Sequence, residues 1–117
     1  MRLEHITIQC ADLEASVKFY CECAGLKVIR DMRDRPSNRI VFMGNSDEDT
    51  LVELIDSEKP FRGSGVSIGF GVKDVKECRE WFIERGYEPT EIRWLGEGRG
   101  FFFVADPSGF SVQFITE

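Results

Sequence analysis

His5-Ile6-Thr7-Ile8-Gln9-Cys10-Ala11-Asp12-Leu13 is echoed later in the chain by Ser67-Ile68-Gly69-Phe70-Gly71-Val72-Lys73-Asp74-Val75, an offset of 62 (position 67 against position 5). The same offset lays Phe19-Tyr20 over Trp81-Phe82. Near the end of each half, Val52-Glu53-Leu54-Ile55 is echoed by Val112-Gln113-Phe114-Ile115 at an offset of 60 (position 113 against position 53). The small drift between matched blocks fits short loop deletions. Two equal halves of this kind can face one another and build one site at their junction.

Outward from these blocks the elements follow. Leu3 to Cys10 alternates, with Ile6, Ile8 and Cys10 on one face and His5, Thr7 and Gln9 on the other, which predicts a strand. Asp12 offers an N-cap, Leu13, Val17, Tyr20 and Ala24 keep helical spacing, and Gly25 is suited to end the helix. Leu26 to Met32 and Arg39 to Met43 read as strands around Arg35-Pro36-Ser37-Asn38, and Thr50 to Ile55 as a fourth. In the second half, Ser67 to Val72 is a strand, and Asp74 with Glu77 opens a helix that Gly86 closes. Glu88 to Arg93 is expected as a strand, Leu95 to Gly100 as a loop, and Gly100 to Val104 as a strand. Phe110 to Ile115 is expected as the last strand, after the turn Asp106-Pro107-Ser108-Gly109.

The expected fold is therefore α+β: two βαβββ modules in tandem whose mixed sheet curls around a cleft. The 117 residues form one domain, with module one at 1–57, a linker at about 58–64 containing Pro60 and Gly63, and module two at 65–117.

Composition narrows the function. The formal net charge is −6 and the sequence pI about 4.9. Nucleic-acid binding needs a clustered basic surface and is disfavoured, whereas an acidic chain suits a cationic ligand or plain solubility. Apolar residues make up 42%, but no uninterrupted run is long enough to span a membrane and no signal-peptide pattern opens the chain. Cys10, Cys21, Cys23 and Cys78 lack zinc-site spacing. They read as buried or half-buried thiols in a reduced, cytoplasmic protein.

Period-two alternation also shows which residues share the cleft face. They are His5, Thr7 and Gln9; Leu51, Glu53 and Ile55; Ser67, Gly69 and Gly71; Ser111, Gln113 and Ile115. A divalent metal there needs three or more imidazole or oxygen ligands and an open position. His5 and Glu53 are good ligands, Gln113 is an acceptable neutral oxygen, and Ser67 is a poor one. His5 is the only histidine, which excludes a two-histidine site. The competing reading is a hydrogen-bonded His5–Glu53 pair with no metal.

The run from His5 through Asp12-Leu13-Glu14, Phe19-Tyr20 and Gly25-Leu26, together with Asp106-Pro107-Ser108-Gly109-Phe110-Ser111-Val112-Gln113, resembles the vicinal oxygen chelate superfamily over the whole chain. That superfamily includes lactoylglutathione lyase (glyoxalase I), bleomycin resistance proteins and extradiol dioxygenases. The resemblance implies a paired βαβββ fold and a homodimer. It carries the metal-ligand positions onto His5, Glu53, Ser67 and Gln113, of which Ser67 and Gln113 depart from the usual His and Glu. What it implies is a small oxygenated substrate and one divalent metal (nickel, zinc or manganese) held by His5, Glu53 and Gln113. Glu53 is the only carboxylate left to carry a proton, because an amide cannot act as a base. Arg30, Arg33, Arg35, Arg39, Arg93 and Arg99 are available for anion contacts, against a plain surface role. The other expectation is a metal-free small-molecule binding protein of the bleomycin resistance type, with Trp94, Phe101 and Phe103 against the ligand.

Overall fold

The computed structural model describes all residues from Met1 to Glu117. They divide into two compact units, Met1–Arg62 and Gly63–Glu117. The first contains β1 (His5–Cys10), α1 (Leu13–Glu22), β2 (Lys27–Met32), β3 (Ile40–Gly44) and β4 (Leu51–Asp56). The second contains β5 (Ser67–Val72), α2 (Val75–Glu84), β6 (Arg93–Gly96), β7 (Arg99–Ala105) and β8 (Ser111–Thr116). Each unit forms a four-stranded mixed sheet. The strand orders β1-β4-β3-β2 and β5-β8-β7-β6 are the same topology written twice.

In each sheet the first strand lies parallel to the last, with Thr7 opposite Glu53 and Gly69 opposite Gln113. The other two strands follow as an antiparallel meander. The parallel pair requires a crossover, and the helix after the first strand supplies it. Both helices start as read: Asp12 accepts from the Ala15 amide at 3.1 Å and Asp74 from the Glu77 amide at 3.0 Å. These caps satisfy amides that have no partner within the helix.

The two helices bury different amounts. Leu13, Ser16, Val17, Phe19 and Tyr20 are buried on α1, where they meet a sheet face containing Ile8, Val41, Met43 and Leu54. On α2 only Val75 and Phe82 are buried, and Phe82 packs among Tyr87, Phe102 and Phe114. Ser16 is fully buried and its hydroxyl has no hydrogen-bond partner. Removing that hydroxyl relieves a desolvated polar group and adds a better helix former. Ser16→Ala is therefore expected to stabilise the fold by about 1 kcal/mol, read as a higher urea midpoint. An unchanged or lower midpoint would show that Ser16 does other work.

Three details differ from the sequence reading. The strand expected at Glu88 to Arg93 lies instead at Arg93–Gly96, and the expected loop from Leu95 is part of a tight hairpin. Gly96 pairs with Arg99 around the two-residue loop Glu97-Gly98, whose φ values of 55° and 75° are those of a type I′ turn. Upstream, Thr90 is tied to β7 by its own amide and hydroxyl: its N–H donates to the Phe103 carbonyl at 2.9 Å, and its Oγ1 accepts from the Phe103 amide at 2.8 Å. The third correction is Cys21, which is exposed; Cys10 is buried, and Cys23 and Cys78 are half-buried.

The turn before β8 shows why its residues are needed. The buried Asp106 carboxylate accepts from the Ser108 amide at 2.8 Å and the Phe110 amide at 2.9 Å. Gly109 takes a φ of 87°, where a side chain would be strained. This turn fixes the entry of β8, and with it the position of Gln113.

Candidate functional site

Four strands of the first unit build one polar face. Antiparallel and parallel pairing place Arg30, Phe42, Glu53 and Thr7 in a single row across β2, β3, β4 and β1. Residues directly opposite in a sheet share a face, so this row stands on the side away from Leu54 and Ile8. His5, two residues before Thr7, joins the same face.

The side chains converge on Glu53. The Thr7 hydroxyl donates to Glu53 Oε1 at 2.5 Å, and His5 Nε2 lies 3.4 Å from that oxygen. Glu53 is 13% exposed and His5 36%, so the pair is half-sheltered with its imidazole edge open. Phe42 forms the floor, meeting the His5 ring edge-on at 5.4 Å between centroids. The Arg30 guanidinium lies over the same phenyl ring at 4.2 Å, a cation–π contact.

Beside this row, His5 Nδ1 contacts Glu4 Oε1, and Glu4 Oε2 is 3.6 Å from Arg30. The hydrogen bond to His5 holds the Glu4 carboxyl below its ordinary pKa, an effect that desolvation only partly offsets. An open depression of about 380 Å³ adjoins these groups, lined by Arg2, Glu4, Ile29, Arg30, Asp47 and Leu51.

In the second unit the equivalent row is Gly69, Gln113 and Phe103. Gln113 Oε1 fills the space over Gly69, where an added Cβ would stand 3.1 Å from it. Gly69 has no hydroxyl to orient that amide as Thr7 orients Glu53. Phe101 and Phe103 lie on the Gln113 face in edge-to-face contact at 5.7 Å, opposite the buried Phe102 and Val104. Ser67 is exposed and pairs with Ser111. Trp94 is half exposed and lies against Gly100, where an added Cβ would stand 2.9 Å from its Cε3 atom.

The donor set can be compared with what a divalent ion requires. Two nitrogen or oxygen ligands at roughly 2.1 Å from one ion stand roughly 3 to 3.5 Å apart, and the His5–Glu53 separation falls in that range. Within the first unit these two side chains fit adjacent positions of one coordination shell. No group of three or more His, Cys, Asp or Glu side chains is gathered for a metal.

Residues 2–114 match the family model described as the Glyoxalase/Bleomycin resistance protein/Dioxygenase superfamily. The chain belongs to this superfamily. Among its glyoxalase relatives, the chain is 32% identical to a lactoylglutathione lyase of Neisseria meningitidis serogroup A, covering all of this chain and 91% of that one. It is 29% identical to a probable chloroplastic lactoylglutathione lyase of Arabidopsis thaliana over 97% of this chain, but spans only 35% of that protein. Among solved glyoxalase structures, the trypanothione-dependent glyoxalase I of Leishmania major superposes with a TM-score of 0.78 at 31% identity, covering 100% of this chain and 87% of that one.

Thus the sequence-derived positions His5 and Glu53 meet on one face of the first sheet, while Gln113 and Ser67 lie on strands of the second. Sequence reasoning had no role for Glu4 or Phe42. Phe42 sits in the apolar run Ile40-Val41-Phe42-Met43, which carries no alternation to show its facing. In the sequence Arg30 is one of six arginines available for anion contacts, with nothing to single it out.

Proposed function

We propose that this chain is a glyoxalase-like isomerase or lyase of the lactoylglutathione lyase type, acting on a small molecule with oxygens on adjacent carbons. The observation that carries the reading is the His5 Nε2–Glu53 Oε1 approach at 3.4 Å, with Thr7 fixing the carboxylate. It is supported by 32% identity to a lactoylglutathione lyase along the full chain. His5 and Glu53 would hold one divalent ion (nickel, zinc or manganese). Gln113, from this chain or from a second copy in a homodimer, is proposed as a further oxygen ligand. A divalent ion bound there supplies Lewis-acid polarisation of two neighbouring substrate oxygens.

The chain's own part in the reaction is proton transfer. The Thr7 hydroxyl holds Glu53 Oε1, and Glu53 Oε2 is the oxygen assigned to meet the substrate. On a hemithioacetal, the Glu53 carboxylate takes the proton from the carbon bearing sulfur and hydroxyl. It returns that proton to the adjacent carbonyl carbon, and the hydroxyl proton passes to the other oxygen. The product is a 2-hydroxy thioester with no net loss or gain of atoms. Phe42 excludes water from one side of the carboxylate. The reading places the chain in a reducing, cytoplasmic setting, the default for four cysteines without zinc-site spacing.

The test is metal content of chain purified without chelator, followed by nickel, zinc and manganese titration and turnover of the hemithioacetal of glutathione and methylglyoxal. Micromolar or tighter binding that His5→Ala weakens at least tenfold is the expected result. A silent titration of the native chain overturns the metal-dependent reading.

One observation favours a second reading. Phe101 and Phe103 present a half-buried aromatic surface beside the neutral Gln113, which suits a metal-free small-molecule binder of the bleomycin resistance type. Ligand binding that persists in chelator, without turnover, is its signature.

A further inference from the structure

A neutral imidazole carries its proton on one nitrogen and a lone pair on the other, and the hydrogen bond at one nitrogen decides the role of the other. At His5 the two nitrogens face different carboxylates. Nδ1 contacts Glu4 Oε1, and Nε2 points toward Glu53 Oε1. A ligating Nε2 needs its lone pair free, which requires the proton on Nδ1 and an acceptor there to hold it.

Glu4 is itself held in place. The Leu51 amide donates to the Glu4 carbonyl at 2.9 Å, and the Thr50 hydroxyl donates to the Leu3 carbonyl at 2.8 Å, so the backbone before β1 is tied to β4. The second Glu4 oxygen faces Arg30 at 3.6 Å, and Arg30 rests on Phe42. Arg30 reaches this position through a register irregularity between Val28 and Arg30 that leaves Ile29 as an extra residue in β2. Without that bulge, strict alternation would pair Arg30 with Val41 and turn it to the helix side; bulges re-aim side chains in this way. Glu4, His5, Phe42 and Arg30 thus close a ring of contacts around the imidazole.

We propose that Glu4 is a positioning residue: held by Arg30, its carboxylate accepts the Nδ1–H of His5 and keeps the Nε2 lone pair directed at Glu53, where a divalent cation is received. The purpose assigned to Nε2 rests on the functional reading above, but the proton placement does not. Glu4 and Arg30 are both about half exposed, and exposed ion pairs contribute little to stability, so the ring tautomer is the readout that tests the role.

His5 is the only histidine in the chain, so untagged protein gives one imidazole spin system. A long-range ¹H–¹⁵N correlation spectrum, recorded in chelator at a pH where the ring is neutral, reads the tautomer directly. The native chain is expected to be mostly Nδ1–H. Glu4→Ala and Glu4→Gln are both expected to move the population toward Nε2–H, because an amide donates as readily as it accepts. Arg30→Met is expected to give an intermediate shift. In nickel titrations Glu4→Ala is expected to weaken binding about 10- to 100-fold. A native spectrum dominated by Nε2–H, or one that Glu4→Ala leaves unchanged, overturns the proposal. A native chain that binds no nickel yet keeps the Glu4-dependent Nδ1–H tautomer supports the positioning role and overturns only the metal-dependent reading.

Discussion

Glu53→Gln is expected to lower hemithioacetal turnover by about 10²- to 10⁴-fold, the usual contribution of a positioned general base, and to weaken nickel binding in the same variant. The amide has the shape of the carboxylate and still accepts from Thr7, so the sheet and its hydrogen bond at 2.5 Å should survive. What disappears is the charge beside His5 Nε2 and the ability to take a proton. A urea midpoint close to that of the native chain, together with the kinetic loss, would separate chemistry from folding. Turnover at the native rate would remove Glu53 from the mechanism. The substitution is informative for a second reason: position 113 already carries Gln, so the variant has neutral amides at both equivalent positions. The repeat then holds no carboxylate at either place.

The largest stability effect is expected at Phe82, where truncation to alanine should cost about 3–5 kcal/mol. Phe82 is fully buried, with ring centroids at 4.9 Å from Phe114, 5.3 Å from Tyr87 and 5.9 Å from Phe102. On α1 the equivalent burial is spread over five side chains, but α2 offers only Val75 besides Phe82. Few neighbouring helical side chains are therefore placed to fill the space, although Trp81 meets the Phe82 ring edge-on at 5.1 Å. Against a total of about 5–15 kcal/mol for a typical native chain, this loss is large. Chemical denaturation should show a sharply lower midpoint, and Phe82→Leu should recover much of it because most of the volume returns. A loss below about 1 kcal/mol for Phe82→Ala would mean that the aromatic cluster is looser than its distances indicate.

Much of this was legible in the sequence because it depends on period. The alternation of His5 to Cys10 and of Thr50 to Ile55 placed His5 and Glu53 on one face, and the two Asp caps located both helix starts within a residue. The superfamily could be read from the repeat and its closing Asp-Pro-x-Gly turn. What escaped has physical causes. β6 is four residues long and exposed throughout, so burial leaves no pattern in it. Its turn depends on Glu97 taking a positive φ, which composition does not announce. The facing of Arg30 depends on a single extra residue in β2, and alternation counted from Leu26 assigns it to the wrong side. Glu4 lies just outside the strand, where period two says nothing about its direction.

Thr7 and Glu53 are 46 residues apart along the chain, yet they lie opposite each other through the parallel pairing of β1 with β4. For a flexible connection each doubling of length costs only about 0.6 kcal/mol of closure entropy. Insertions in the turn after β2 or in the Gly44–Thr50 segment should leave the His5–Glu53 spacing untouched. A slip of one residue between β1 and β4 acts differently: it would set Ile6 or Ile8 against Glu53 and turn the imidazole toward α1. Engineered grafts are expected to lengthen those loops at small cost, while the distance that matters is held by six consecutive backbone pairings.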